Sequence, residues 1–153
     1  MEKRVEKAVE YFKSGYNCSQ SVACAFADLY GMDAETALKV SASFGGGIGR
    51  MRETCGAACG LFILAGLQCG STNPKDAEGK GNNYKVVQEL AEEFKKANGF
   101  LKCRDLLGLD KETKESHVPA QRTAEYYAKR PCAEIVRSAA QIWAEHEKKK
   151  NDK

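Results

Sequence analysis

The sequence lacks the motifs with which common nucleotide-binding proteins hold phosphate groups. A glycine cluster is present at Gly45, Gly46, Gly47 and Gly49, but no G-x-G-x-x-G spacing fits positions 45 to 52. No Gly-Lys-Ser or Gly-Lys-Thr follows the cluster either. We therefore expect no phosphate site there, and we interpret the cluster as a loop that turns tightly or admits another group close to its backbone.

The sequence also lacks a long apolar segment and a large excess of charge of one sign. The longest apolar run, from Cys55 to Gly70, is about one helical turn too short to span a bilayer, and Met1 is followed by an amphipathic segment rather than by an apolar signal region. The 24 Lys and Arg residues are balanced by 21 Asp and Glu residues. We expect a cytoplasmic protein with no membrane span and no nucleic-acid partner. A redox protein, a small molecule or a second copy of the chain are the candidate partners.

No stretch alternates apolar and polar residues as a half-buried strand does, whereas apolar residues recur at helical spacing along most of the chain. This pattern predicts an all-α single domain over residues 1–148, with about six or seven helices around a central small-residue helix, 55–70, and a frayed basic tail at 149–153. Helices are predicted at 2–13, 19–29, 34–43, 55–70, 84–97 and 132–148, short helical segments at 103–107 and 123–129, and a mobile connection at 71–83, with an irregular polar segment at 109–122.

Seven cysteines are unusual for a chain of this kind. An odd number cannot all pair within one chain, and no C-x-x-C pair marks a redox motif. Asn17 is the predicted N-cap of the second helix and Cys18 follows it directly. Cys55 and Cys132 are the first residues of their predicted helices, and Cys103 lies at or near the start of a short one. A helix N-terminus stabilises anionic sulfur, whether as a free thiolate or as a metal ligand. These four cysteines are therefore the candidates for chemistry.

Cys55 is the strongest candidate for a reactive thiolate. Thr54 before it is a good N-cap, which places Cys55 at the first helical position. Arg50 and Arg52 lie close by in sequence, where their charges favour a thiolate or hold an anionic substrate; a plain surface role is the alternative. The expected residues for binding a cofactor or substrate are Gly45, Gly46, Gly47, Arg50 and Arg52.

The segments around these cysteines resemble the redox-active family known as C_GCAxxG_C_C. The likeness covers about residues 5 to 145, and the core motif Cys-Gly-Ala-x-x-Gly matches at positions 55 to 60 without departure. The resemblance implies a redox or metal role for the four candidate cysteines, leaves Cys24, Cys59 and Cys69 outside the pattern, and supplies no substrate. The segments that carry it are Tyr16-Asn-Cys18-Ser-Gln20, the glycine cluster with Thr54-Cys55-Gly-Ala-Ala-Cys-Gly60, Cys103-Arg-Asp-Leu-Leu-Gly108, and Cys132.

Three interpretations of the four cysteines stay open at this point. The first is a thiol-based oxidoreductase, in which a low-pKa thiolate attacks an oxidised partner and a second cysteine resolves the mixed disulfide. The second is a four-thiolate site for zinc or an iron–sulfur cluster. The third is a helical binding protein whose cysteines only pack. The first two require the same residues to converge in space, as catalytic groups or as metal ligands: Cys18, Cys55, Cys103 and Cys132.

Overall fold

The chain folds into α-helices joined by turns and loops. A computed structural model describes residues 1–110 and 115–152. Within those ranges the protein has eight α-helices, two short 3-10 helices and no β-strand, apart from one isolated backbone bridge between Thr54 and Lys102. The predicted all-α, single-domain fold is confirmed. Parts of the predicted irregular segment 109–122 and of the predicted tail 149–153, namely residues 111–114 and 153, lie outside the described residues.

The α-helices are numbered in chain order, and 3-10 turns extend two of them. The 3-10 helix Ala27–Tyr30 follows α2, and Ala42–Phe44 follows α3. The α-helices are α1 Glu2–Lys13, α2 Cys18–Phe26, α3 Ala34–Ser41, α4 Gly56–Cys69, α5 Ala77–Asn98, α6 Cys103–Leu106, α7 Ala124–Lys129 and α8 Cys132–Asn151.

The long helices bury the faces that their apolar spacing predicts. On α1 the buried residues include Val5 and Phe12, and on α5 they include Phe94. Val136 and Trp143 of α8 are fully buried in the same core cluster. Burial of a side chain of this size stabilises the fold by about 2 kcal/mol, so packing of these faces and not helix propensity holds the bundle together.

Helix α4 lies at the centre, and its glycines permit close approach of α2, as predicted. A Cβ atom built on Gly60 would lie 2.8 Å from Val22 Cβ, and one on Gly56 would lie 3.3 Å from Cys18 Cβ. Gly66 differs, because a Cβ there would meet nothing within 4 Å. Although α4 is the most apolar helix, no helix of the described residues is long and apolar enough to cross a membrane.

Several helix boundaries differ from the prediction. Helix α4 begins at Gly56, so its N-cap is Cys55 and not Thr54. Helix α5 begins at Ala77, inside the segment 71–83 that the sequence indicates to be a mobile connection. The Asp76 carboxylate caps this helix by accepting a hydrogen bond from the Gly79 N–H at 2.8 Å, which offsets the poor helix propensity of the glycines in the first turn. Helix α8 continues to Asn151, three residues beyond its predicted end.

Candidate functional site

Four cysteines from four helix starts line one cavity of about 60 Å³. Cys18, Cys103 and Cys132 are the first residues of α2, α6 and α8, and Cys55 is the residue before α4. The structure thus brings together the four candidates, although they are far apart in sequence. Cys24, Cys59 and Cys69 do not line this cavity. It will be called the cysteine cavity, and it has room for a few water-sized groups.

Asn17 fixes the start of α2 and with it the position of Cys18. Its side chain accepts a hydrogen bond from the Gln20 N–H at 2.9 Å, and Gln20 Oε1 accepts one from the Asn17 N–H at 3.1 Å, forming a capping box. Asn17 Nδ2 also donates to the Ala42 carbonyl at 2.9 Å. A Cβ on Gly45 would lie 2.4 Å from the Asn17 side chain. The first glycine of the cluster therefore makes room for this cap.

Residues 45–54, which will be called the glycine loop, contain several residues in the left-handed backbone conformation. Three residues other than glycine have positive φ in this loop, a conformation that costs about 1 kcal/mol or more for a residue with a Cβ atom. Such strain is concentrated at functional sites in proteins. The left-handed residues and their φ angles are Gly46 at 66°, Gly47 at 73°, Ile48 at 65°, Gly49 at 58°, Arg50 at 61° and Arg52 at 60°.

Hydrogen bonds connect the glycine loop to the start of α6. The Cys103 N–H donates to the Glu53 carbonyl at 2.7 Å, and the Cys55 N–H donates to the Leu101 carbonyl at 2.8 Å. A Cβ on Gly47 would lie only 2.6 Å from Cys103 Cβ. Gly47 therefore lets Cys103 approach the loop, and the two backbone hydrogen bonds hold Cys103 and Cys55 on the same side of the cavity.

Arg52 points into the protein rather than into solvent. Its side chain is 5% exposed, its Nη1 donates to Cys103 Sγ at 3.5 Å, and its Nε donates to Glu115 Oε1 at 3.2 Å. Arg50 also forms an ion pair with Glu115, at 3.5 Å, and donates to the Ser116 carbonyl at 2.8 Å. Arg52 thus lines the cysteine cavity, and Arg50 is joined to it through their shared carboxylate, Glu115.

The expectation of a low pKa at Cys55 is wrong. Its side chain is 5% exposed, and burial raises the pKa of the thiol to about 12. The backbone N–H groups of Ala57 and Ala58 lower this pKa, as a helix start should, but burial has the larger effect. Burial also raises the pKa of Cys103, against the lowering effect of Arg52.

Cys132 is the thiol with a lowered pKa. Hydrogen bonding with the Cys18 side chain lowers the pKa of Cys132 to about 7, and the positive charges of Arg130, Arg122 and Arg52 contribute in the same direction against the effect of burial. The same contact with Cys132, together with burial, raises the pKa of Cys18 well above its usual range. In this pair Cys132 therefore has the lower pKa and Cys18 the higher one.

Arginines stacked on aromatic rings form one wall of the cysteine cavity. The Arg122 guanidinium lies 4.2 Å from the Phe12 ring centroid and donates to the main-chain carbonyls of Phe12 at 2.8 Å and Tyr16 at 3.0 Å. The Arg130 guanidinium lies 5.3 Å from the ring centroid of Tyr126. Stacking holds both guanidinium groups, and main-chain acceptors also hold that of Arg122, without neutralising their charge.

A second cavity, of about 430 Å³, adjoins the cysteine cavity. It will be called the arginine groove, because Arg50, Arg52, Arg122 and Arg130 line it together with His117. Arg52, Arg122 and Arg130 line both cavities. Among the described residues no Asp or Glu lines the groove, which therefore presents positive charge next to the thiols.

A shared metal ion would require sulfur atoms within ~4 Å of one another. In residues 1–110 and 115–152, no group of three or more His, Cys, Asp or Glu side chains is arranged to hold a metal ion. The four cysteines share a cavity but do not form a ligand set, so the zinc or iron–sulfur interpretation gains no support from the geometry and stays a prediction.

Sequence reasoning missed four residues of the site: Arg122, Tyr126, Arg130 and Glu115. Arg130 had a signal, because it lies two positions before Cys132 and its charge lowers the pKa of that thiol. The other three had none, since their place at the site results from how residues 115–129 pack against α1 and the glycine loop.

One comparison with known proteins gives a match. A family model described as "Putative redox-active protein (C_GCAxxG_C_C)" matches residues 16–146, a range that includes all four cysteines of the cavity. No curated protein and no solved structure matches the chain.

Proposed function

The chain belongs to the C_GCAxxG_C_C family, and we propose that it is a thiol–disulfide redox protein in which Cys132 attacks and Cys18 resolves. The observation that carries the proposal is the contact between these two thiols in a cavity lined by arginines. Taken as whole residues, Cys18 and Cys132 are half-buried, whereas Cys55 and Cys103 are buried. The family description supports a redox role in general, and the choice of thiols is our inference.

The reaction exchanges one disulfide for another. The Cys132 thiolate attacks a sulfur of a substrate disulfide, forms a mixed disulfide and expels one substrate thiolate. Cys18 then loses its proton to solvent and attacks Cys132 Sγ, which breaks the mixed disulfide and releases the second substrate thiolate. The Cys18 and Cys132 sulfurs lose two electrons in total, and the two substrate sulfurs gain them.

Each neighbouring group has a defined part in this reaction. The charges of Arg130 and Arg122 stabilise the Cys132 thiolate before attack and a leaving thiolate after it. Cys55 and Cys103, whose pKa values are raised, remain protonated at neutral pH and do not compete as nucleophiles.

Trapping of the mixed disulfide tests the proposal. The Cys18→Ser variant, exposed anaerobically to a small disulfide, should retain a mixed disulfide on Cys132, detectable by intact mass and peptide mapping. Cys132→Ser should form none at neutral pH, and Cys69→Ser, which alters a cysteine outside the cavity, should behave like the unaltered protein.

Two outcomes would contradict the proposal. A mixed disulfide that forms first on Cys55 or Cys103 would assign the attack to a different sulfur. Stoichiometric iron or zinc after anaerobic purification, lost in variants of any one of the four cysteines, would support the metal-site interpretation instead.

A further inference from the structure

The thiol–disulfide exchange proposed for Cys18 and Cys132 does not require the arginine groove, which is a separate space beside the cysteine cavity. It is about seven times larger than the cysteine cavity, at about 430 Å³ against about 60 Å³. The groove can hold a group of small-molecule size, whereas the cysteine cavity admits only a few atoms. A ligand that fills both would place a bulky part in the groove and a narrow part, such as a sulfur, beside the thiols.

The charge of the groove is mostly unneutralised. Arg50 and Arg52 share a single carboxylate, Glu115. Arg122 donates to neutral main-chain carbonyls. In the described part of the chain, the Arg130 guanidinium has no hydrogen-bond acceptor and contacts the Tyr126 ring. Within the described residues, four guanidinium groups therefore line the groove, and one carboxylate is paired with two of them.

We propose that the arginine groove binds the carboxylate groups of a small anionic disulfide and directs its S–S bond to Cys132. The inference rests on the proposed thiol–disulfide function and adds the substrate class. Guanidinium groups bind carboxylates through paired N–H donors, and in the structure Arg130 has such donors available beside the cysteine to which its charge is coupled. Arg52 and Arg122 line both cavities and connect the binding step to the reacting sulfur.

The balanced reaction follows from the function proposed above. Cys132–S⁻ and R–S–S–R, where R carries a carboxylate, give Cys132–S–S–R and R–S⁻. The Cys18 thiolate, formed by loss of a proton to solvent, attacks Cys132 Sγ and releases the second R–S⁻. The anionic disulfide is the oxidant and is reduced to two thiolates, and the Cys18–Cys132 dithiol is oxidised to a disulfide.

Two aryl disulfides of opposite character test the substrate class. Dithiobis(nitrobenzoate) carries two carboxylates, and dithiodipyridine is uncharged at neutral pH. The rate of mixed-disulfide formation on Cys132, assigned by peptide mapping, is measured with each probe. The neutral probe measures the reactivity of the thiolate, and the ratio of the anionic to the neutral rate isolates the contribution of the groove.

Arg130→Gln should lower that ratio about tenfold, the effect of losing one charge-assisted hydrogen bond. Lys85→Gln removes the same charge from an exposed position on α5 and should leave the ratio unchanged. Arg130→Lys keeps the positive charge, so its ratio of anionic to neutral rate should stay close to that of the unaltered protein. In the unaltered protein, added salt should slow the anionic probe and not the neutral one, because salt screens the groove.

The outcomes separate the two proposals. Reaction of Cys132 with both probes, at a ratio that Arg130→Gln and salt leave unchanged, would overturn the anionic-substrate inference and leave the thiol–disulfide function intact. No reaction of Cys132 with either probe would overturn the proposed function and this inference with it. The salt series requires no variant, so the result does not depend on whether Arg130→Gln folds.

Discussion

Helix α8 carries a different buried polar site at each end, with Cys132 at its N-terminus and Glu147 near its C-terminus. The Glu147 carboxylate is 7% exposed and accepts hydrogen bonds from Tyr30 Oη at 2.5 Å and from Gln68 Nε2. Trp143 Nε1 in turn donates to Tyr30 Oη at 2.9 Å. These four residues are the Glu147 network, and His146 extends it with Nε2 at 2.8 Å from Gln68 Oε1.

The two sites differ in what their polar groups have left to bind. In the Glu147 network each group forms a hydrogen bond with another member. The network therefore connects α4, the 3-10 helix Ala27–Tyr30 and α8, and its polar groups are already used in these bonds. Around Cys132 the partners are thiols, which are weak hydrogen-bonding groups, and arginines whose charge exceeds the nearby carboxylate. The first arrangement stabilises the fold, whereas the second retains the capacity to react.

The largest effect we expect is from removing Glu147. Glu147→Ala leaves the Tyr30 hydroxyl and the Gln68 amide without their acceptor, and it should lower the free energy of unfolding by about 3 kcal/mol in urea denaturation. Glu145→Ala, at an exposed position of the same helix, should change it by less than ~0.5 kcal/mol. Reactivity of Cys132 at pH 7 should stay unchanged in the folded protein, and a parallel loss of reactivity would show that the two sites are not independent.

The Gly47→Ala variant tests how tightly the glycine loop packs against Cys103. The new Cβ would lie 2.6 Å from Cys103 Cβ, and the φ of 73° disfavours any residue with a side chain, so we expect a loss of about 2 kcal/mol in the free energy of unfolding. Gly49→Ala is the matched control, because its φ is also positive but nothing lies within 4 Å. It should lose only about 1 kcal/mol. Equal losses would mean that the close contacts at Gly47, with Cys103 Cβ, Arg52 Cα and the Glu53 backbone nitrogen, add nothing.

The pH dependence of alkylation distinguishes the thiols within the cysteine cavity. The thiolate is the reacting form, so the rate at Cys132 should rise with pH and reach its midpoint near pH 7. The rate at Cys55 should be far lower and show no midpoint below pH 9. At pH 6 Cys132 should react about tenfold faster than any other cysteine, after allowing for the lower nucleophilicity of a low-pKa thiolate. Rates resolved by peptide mapping check this, and a midpoint at Cys132 above 8.5 would remove it as the nucleophile.

Arg52→Gln should have the smallest effect. Arg52 lowers the pKa of Cys103 directly and that of Cys132 more weakly, so we expect a twofold to threefold slower alkylation of Cys132 at pH 7, on the order of a small pKa shift. Glu115 keeps its ion pair with Arg50. Lys85→Gln again serves as the control for loss of one positive charge, and an equal decrease in both variants would argue for a general charge effect.

Features that depend on neighbours in sequence could be predicted. The apolar faces of α1 and α8, the Asn17 cap and the placement of cysteines at helix starts all follow from local spacing and capping. The helix-start argument also gave the right sign at Cys55, where the N–H groups of Ala57 and Ala58 lower the pKa. The burial that outweighs them arises from the packing of several helices and has no local signature.

The positions of the arginine side chains also depend on packing between distant segments, which local sequence does not predict. Arg52 was singled out because it lies near Cys55 in sequence, but its left-handed backbone directs its side chain to Cys103. Arg122 reaches the site because it binds carbonyls at the end of α1, more than 100 positions earlier in the chain. His146 lies among charged residues in the sequence, but it is half-buried against Trp143 in the fold.

The contact between the starts of α2 and α8 also means that a disulfide formed there would restrict the unfolded chain. A disulfide between Cys18 and Cys132 would close a loop across the 114 positions that separate them. Helices α2 to α7 lie inside this loop, whereas α1 and all but the first residue of α8 lie outside it. Loop-closure entropy for a ring of this length disfavours the unfolded ensemble by about 5 kcal/mol. Oxidation of this one pair would therefore restrict the unfolded chain from the start of α2 to the start of α8, and the melting temperature would then differ between the two redox states.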